Sequence, residues 1–150
     1  MRDVAEAPRE RVYLDAAGMI CGRLASYAAK EAIRGKEVVI VNAEKAVIYG
    51  TKSRALARLL KKLRTGTLAS QEKAPKHPRR PDTYLRRIIR SMLPRKKPKG
   101  RDSYRRVKVY IGIPQELSGV KLLSLEEASA SRLKCPSVTL KELMREVGSK

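Results

Sequence analysis

The stretch VYLDAAGMICGRLASYAAKEAIRGKEVVIVNAEKAVIYG, Val12 to Gly50, decides the fold. Val12, Tyr13 and Leu14 make a short β-type run, and Asp15 and Gly18 interrupt it. From Leu24 to Ile33 the chain is Ala-rich, with Ala25, Ala28, Ala29 and Ala32 at helical spacing. Small residues let that helix lie close to a sheet. Gly35 stops it, and Val38, Val39, Ile40 and Val41 follow as an unbroken apolar run, the pattern of a strand covered on both faces in a parallel sheet. Ala46 to Tyr49 adds another short strand. Further on, Val107, Val109 and Ile111 alternate with Lys108 and Tyr110, and Pro114 closes what reads as the last strand. Strands separated by helices predict an α/β layer fold with right-handed crossovers, in one domain over residues 1–150.

Charge divides the chain differently. Residues 51–110 hold 21 Lys or Arg against three acids, Glu72, Asp82 and Asp102, so this stretch carries +18 of the formal +20. Residues 1–50 have eight cations and seven acids, and residues 111–150 have six and five. So localised a charge destabilises the compact state by self-repulsion unless a polyanion compensates it, and phosphate backbones do so with release of counterions. At 42% apolar, in periodic blocks, the chain is too hydrophobic for a disordered basic tail. No uncharged apolar run approaches the ~18 residues of a membrane span, and the charged start MRDVAEAPRERV lacks a signal-peptide core, which points to a cytoplasmic protein. Cys21 and Cys135 are single thiols 114 positions apart, which reads as reduced structural cysteines rather than a disulfide framework.

Two helices in the basic third separate an apolar from a cationic face. Leu56, Leu59, Leu60 and Leu63 fall on one side of residues 54–63, and Arg54, Arg58, Lys61 and Lys62 on the other. Pro81 and Asp82 read as the entry and N-cap of a second helix, which Pro94 ends. Its stripe is Leu85, Ile88, Ile89 and Met92, and its opposite face carries Arg86, Arg87 and Arg90. A cationic helix face is ordinarily just solvated surface, but here almost no acids are interleaved to form i,i+4 pairs. Residues 64–81 and 94–101, rich in Pro, Gly and cations, read as flexible basic loops that order on a partner. The carboxyl-terminal third has two capping-box signals, Ser124 with Glu127 and Thr139 with Glu142. The second precedes a stripe of Leu140, Leu143, Met144 and Val147 that ends at Gly148.

Lys serves as a phosphate point charge and Arg as a planar fork that also stacks on bases, so the mixture suits folded RNA. With only Tyr84, Tyr104 and, at its end, Tyr110 in the basic third and no Phe or Trp in the chain, a base-stacking platform of the single-strand-binding kind is unsupported. No zinc-finger, basic-zipper or helix-turn-helix spacing points to DNA. His77, the only histidine, lies among prolines and arginines, where a phosphate contact is the better reading than general-base work. GTKS at Gly50 to Ser53 lacks the full phosphate-loop spacing, and two distant thiols with one histidine make no metal cluster. Neither cofactor nor catalytic constellation is indicated.

IIRSMLP at Ile88 to Pro94, five residues, Gly100 and Arg101, five more, then VKVYIG at Val107 to Gly112 resembles the signature of the large-subunit ribosomal protein thirteen family. DAAGMICGRLAS at Asp15 to Ser26 and GKEVVIVNAEKAVIYG at Gly35 to Gly50 resemble the same family's opening strand, GRLAS turn with its helix, and second strand. Ser91 departs from the Gly or cation usual before MLP. RTGTL lacks the bacterial glycine-rich tail, while PRRPDTYLRR and GIP resemble archaeal or eukaryotic members; residues 115–150 match less distinctively. The resemblance implies a three-layer α/β/α protein with a small, largely parallel four-stranded sheet. It also implies a non-enzyme that binds folded large-subunit ribosomal RNA early in assembly, beside neighbouring ribosomal proteins and with no membrane or small-molecule substrate.

Position by position, the family's RNA-facing residues correspond to Arg23 in the GRLAS turn, Lys52, the loop around Lys76, His77, Arg79 and Arg80, the arginines of the MLP helix, and Lys96 to Arg101. With the cationic faces already described, the candidate RNA contacts extend to Arg95, Lys97, Lys99 and Arg105. Arg23 has a second reading, as the cap of a strand or the partner of Asp15. The competing function is an RNA-modifying or RNA-processing factor, which would need the cofactor pocket or acid-base pair that the sequence does not supply.

Overall fold

The computed structural model describes residues 10–66 and 72–148. The part of the first basic loop at 67–71 lies outside these. Strand β1 (Arg11–Asp15), helix α1 (Cys21–Ile33) and strand β2 (Glu37–Val41) form the expected β-α-β unit, with β1 and β2 parallel and Leu14 opposite Ile40. Strand β3 (Val47–Tyr49), helix α2 (Lys52–Arg64), helix α3 (Pro81–Met92) and helix α4 (Pro98–Arg105) lead to strand β4 (Val107–Val109). β4 pairs parallel to the other side of β2, with Val38 opposite Val107. Strand β5 (Ser137–Thr139) and helix α5 (Leu140–Glu146) close the chain.

The sheet order β1-β2-β4 advances in one direction. Right-handed crossovers then place both sets of connecting helices on the same face. That is where α1, α3 and α4 pack, over Leu14, Val38, Ile40 and Val107. Ala25, Ala28, Ala29 and Ala32 are all buried, so α1 sits close against the strands. Leu85 and Ile89 of α3 are fully buried, each contributing about 1.5–3 kcal/mol. Met92, expected in the same stripe, is exposed. The other sheet face, with Tyr13, Val39, Lys108 and Tyr110, meets the segment Pro114 to Leu117, which includes a single 3-10 turn. That segment stands where a second helical layer was expected.

Among the described residues, three strands rather than four are hydrogen-bonded in the parallel sheet. The place beside β1 is reduced to one parallel bridge between Leu14 and Leu123. β3 leaves the main sheet and pairs antiparallel with β5, so β4 is not the last strand of the chain. Asn42, in the left-handed region at φ 56, donates from Nδ2 to Asp15 Oδ1 at 2.9 Å and fixes the turn after β2 against the end of β1.

Helix termini correct three further expectations. Thr139 Oγ1 accepts from the Glu142 amide at 3.3 Å and caps α5, and Gly148 follows its end at φ 79. Ser124 caps nothing: only a 3-10 turn at Glu126–Ala128 follows, because no apolar stripe is there to bury a longer helix. The N-cap of α3 is Arg80 rather than Asp82, with Pro81 buried in the first turn. Residues 98–105, the first half of which lies inside the second segment read as a flexible loop, form α4. Gly100 packs so tightly on Pro94 that a β-carbon there would stand 2.2 Å from the Pro94 carbonyl oxygen.

Cys21 is buried, and burial pushes its thiol up to about 12; Cys135 is exposed.

Candidate nucleic-acid interface

Helix α2 buries Ala55 and Leu59 and exposes Arg54, Arg58, Lys61 and Lys62. Its start is held by Lys52, whose Nζ donates to Glu146 Oε1 at 2.6 Å. A cation at a helix N-terminus and an acid at a C-terminus each oppose the helix dipole, and here each offsets the other. The Glu146 bond raises the Lys52 ammonium above its ordinary value, and the Lys52 bond lowers the Glu146 carboxyl. Arg58 lies 6.0 Å over the ring of exposed Tyr49.

The loop entering α3 is held by α3 itself. Arg87 Nη1 donates to the Lys76 carbonyl at 2.7 Å, and Arg80 Nη2 donates to Asp82 Oδ2 at 3.1 Å. Lys76 and Arg79 remain exposed, while His77 is half-buried between α2 and α3. Burial, then the charges of Arg87 and Lys62, hold its imidazole below the ordinary value. His77 is therefore neutral near pH 7.

α3 stands in the middle of a row. Tyr84, Arg87, Ile88 and Ser91 face α2 across a small cavity, while Arg86 and Arg90, one turn apart, face α4 and stack on Tyr104 at 4.8 and 5.9 Å. Arg86 is half-buried, so it departs from the free cationic face expected for it; Arg87 and Arg90 are exposed. Beyond Tyr104, α4 exposes Lys99, Arg101 and Arg105, with Arg105 3.7 Å from Asp102, and Arg95, Lys96 and Lys97 are exposed just before it. Arg106 turns the other way and donates from Nη1 to the Ala32 carbonyl at 3.2 Å, satisfying the end of α1.

Arg23 is set apart from this row. It donates from Nη1 to the Glu127 carbonyl at 2.9 Å, and Asp15 instead accepts from the Ala17 amide and Asn42. The Asp15 pairing is therefore not formed. Arg23 lines a cavity of about 780 Å³ together with Lys30 and Arg132. Sequence reasoning passed over Lys30 and Arg132, because each is a lone cation in a near-neutral stretch and only the fold brings them beside Arg23.

What α2, α3 and α4 present is a row of exposed ammonium and guanidinium groups with few acids among them. The row can neutralise closely spaced phosphates. Among the described residues, no group of three or more His, Cys, Asp and Glu could hold a metal ion, and no helix is long and apolar enough to cross a membrane.

Comparison with known proteins matches residues 9–116 to the family described as Ribosomal protein L13. The large ribosomal subunit protein uL13 of Methanocaldococcus jannaschii is 45% identical over 139 residues, spanning 91% of this chain and 97% of that protein. The uL13 of Archaeoglobus fulgidus is 42% identical over 137 residues, spanning 90% and 86%. That of Methanococcoides burtonii is 44% identical over 138 residues, spanning 91% and 97%.

Proposed function

The chain belongs to the ribosomal protein L13 family, in its archaeal type, and we propose that its α2-α3-α4 row is the surface by which it grips folded large-subunit ribosomal RNA. As a family member it is a structural constituent of the large ribosomal subunit and not an enzyme. The observation that carries the surface assignment is the continuity of the row: three helices, linked through the His77 cavity and the Tyr104 stack, turn their cations to solvent together.

In this reading the β-α-β body is a rigid mount. Lys61, Lys62, Arg87, Arg90, Lys99 and Arg101 neutralise phosphates of separate RNA segments, which draws those segments together during subunit assembly. Affinity comes mainly from charge, and specificity from the shape of one folded site. The near-neutral remainder, including Arg23 with Lys30 and Arg132, is left for neighbouring ribosomal proteins and peripheral RNA contacts. The whole chain acts as one domain.

The test is filter binding of the full chain to large-subunit ribosomal RNA across salt. If about six to ten phosphates are neutralised, affinity falls by about three to five decades between ~50 and ~200 mM salt, on the relation established for duplex DNA. A flat salt response would remove the electrostatic mechanism. Failure to sediment with large subunits would remove the reading itself.

A further inference from the structure

The cavity between α2 and α3 holds about 300 Å³, at the lower edge of the roughly 300–1,000 Å³ typical of small-ligand pockets. We propose that it receives a single unstacked nucleotide of the bound ribosomal RNA, with the base inside and its phosphates on Lys62 and Arg87. The inference rests on the RNA-binding reading above and assigns it a specific base-recognition site.

The lining has the chemistry such a ligand needs. Leu59 and Ile88 give an apolar floor against which a planar base loses water. His77 and Tyr84 bring aromatic rings, and RNA-binding proteins hold splayed-out bases by stacking on such rings and bonding their edges. Burial keeps the His77 imidazole below its ordinary value, so it offers one donor and one acceptor nitrogen, a match for a base edge rather than for a phosphate. Ser91 donates its hydroxyl to the Ile88 carbonyl at 2.6 Å, which leaves its oxygen to accept. Lys62 and Arg87 are exposed, and therefore stand at the mouth. Arg87 uses one guanidinium nitrogen on the Lys76 carbonyl and keeps further N–H groups for phosphate.

The position fits as well. The cavity sits between the two helices whose outward faces carry Arg54, Arg58, Lys61 and Arg90, so a backbone tracking over both would pass its mouth. Single-stranded loops and bulges are where RNA presents unstacked bases.

The experiment is ultraviolet crosslinking of the full chain to large-subunit ribosomal RNA, followed by nuclease digestion and mass spectrometry of the peptides. The expected result is a mononucleotide adduct on His77 or Tyr84, from one RNA position. Filling the cavity with Ser91→Phe should abolish that adduct and weaken binding about tenfold, within the range for losing one stacked base, while the salt dependence keeps its slope. A salt-sensitive complex whose adducts fall only on exposed Lys and Arg would overturn the pocket and leave the RNA-binding reading standing. No complex at all would overturn both. The wild-type adduct map decides the question even if Ser91→Phe does not fold.

Discussion

The guanidinium of Arg86 lies 4.8 Å from the ring centroid of Tyr104, and this contact joins α3 to α4. Arg90 reaches the same ring at 5.9 Å, so one tyrosine gathers two cations that would otherwise repel. Two of the three cations of α3 are thereby committed to holding α3 and α4 together. On α2, by contrast, Arg54, Lys61 and Lys62 are exposed to meet a partner, while Lys52 is held by Glu146 and Arg58 lies over Tyr49.

That division predicts opposite outcomes for two Gln substitutions. Arg86→Gln should lower stability by about 0.5–2 kcal/mol, the range for a partly desolvated cation over an aromatic ring. A double-mutant cycle with Tyr104→Leu should show the two losses to be coupled. Lys61→Gln should leave the urea midpoint nearly unchanged, yet reduce the salt slope of RNA binding by about one. Equal stability effects at both positions would contradict the division.

Gly100 makes a second prediction about α4. Gly100→Ala would drive a β-carbon to 2.2 Å from the Pro94 carbonyl oxygen, and backbone on both sides leaves nothing flexible to yield. A loss of at least about 1–3 kcal/mol is expected. Gly22→Ala in the first turn of α1 is the control. Its β-carbon meets nothing within 4 Å, so the thermal midpoint should hold or rise.

How much of this was readable beforehand follows the apolar pattern. β1, α1, β2, α2 and α3 all bury a periodic stripe, and each was legible to within a few residues. Helix α4 was not. Its eight residues bury only Gly100 and Ser103, and it is held by Pro98 in its first turn, the Gly100 contact with Pro94 and the Ser103 bond to the Lys99 carbonyl. None of these leaves a hydrophobic period. The β3-β5 pair was equally hidden, because Val47 and Thr139 meet only through a long-range fold. Within the interface, charge showed which segment mattered. It could not show that Arg86 and Arg106 are held by Tyr104 and by the Ala32 carbonyl, since partners distant in sequence decide that.

The third prediction concerns pH. The folded state holds His77 below its ordinary 6.5, so between its folded value and about 6.5 the unfolded chain binds more protons. Stability from this group is therefore complete above about 6.5 and is lost as pH falls toward the folded value. His77→Gln should flatten that part of the stability curve. As the only histidine, it gives one imidazole signal to titrate by NMR. The midpoint should lie below 6.5 in the free protein, and a midpoint at or above it would contradict the burial and the charges of Arg87 and Lys62.

The fourth prediction tests which basic segment is ordered before RNA arrives. Residues 72–80 form no helix or strand, and Lys73, Lys76 and Arg79 within them are exposed. Residues 98–105 are helical, with Gly100 and Ser103 buried. Proteases need extended, accessible backbone, so a Lys/Arg-specific protease should cut the free protein first after Lys73, Lys76 or Arg79 and spare Lys99 and Arg101. Lys97 is protected twice, by the helix start and by Pro98 on its carboxyl side. When RNA binds, phosphates remove the repulsion within the first segment, and charge-assisted hydrogen bonds hold its cations, so the cost of ordering it is met at binding. Cleavage there should fall sharply in the complex. Early cuts after Lys99 or Arg101 would show that α4 forms only on RNA, and undiminished cuts after Lys73 to Arg79 would remove this loop from the interface and leave the grip to the helix faces.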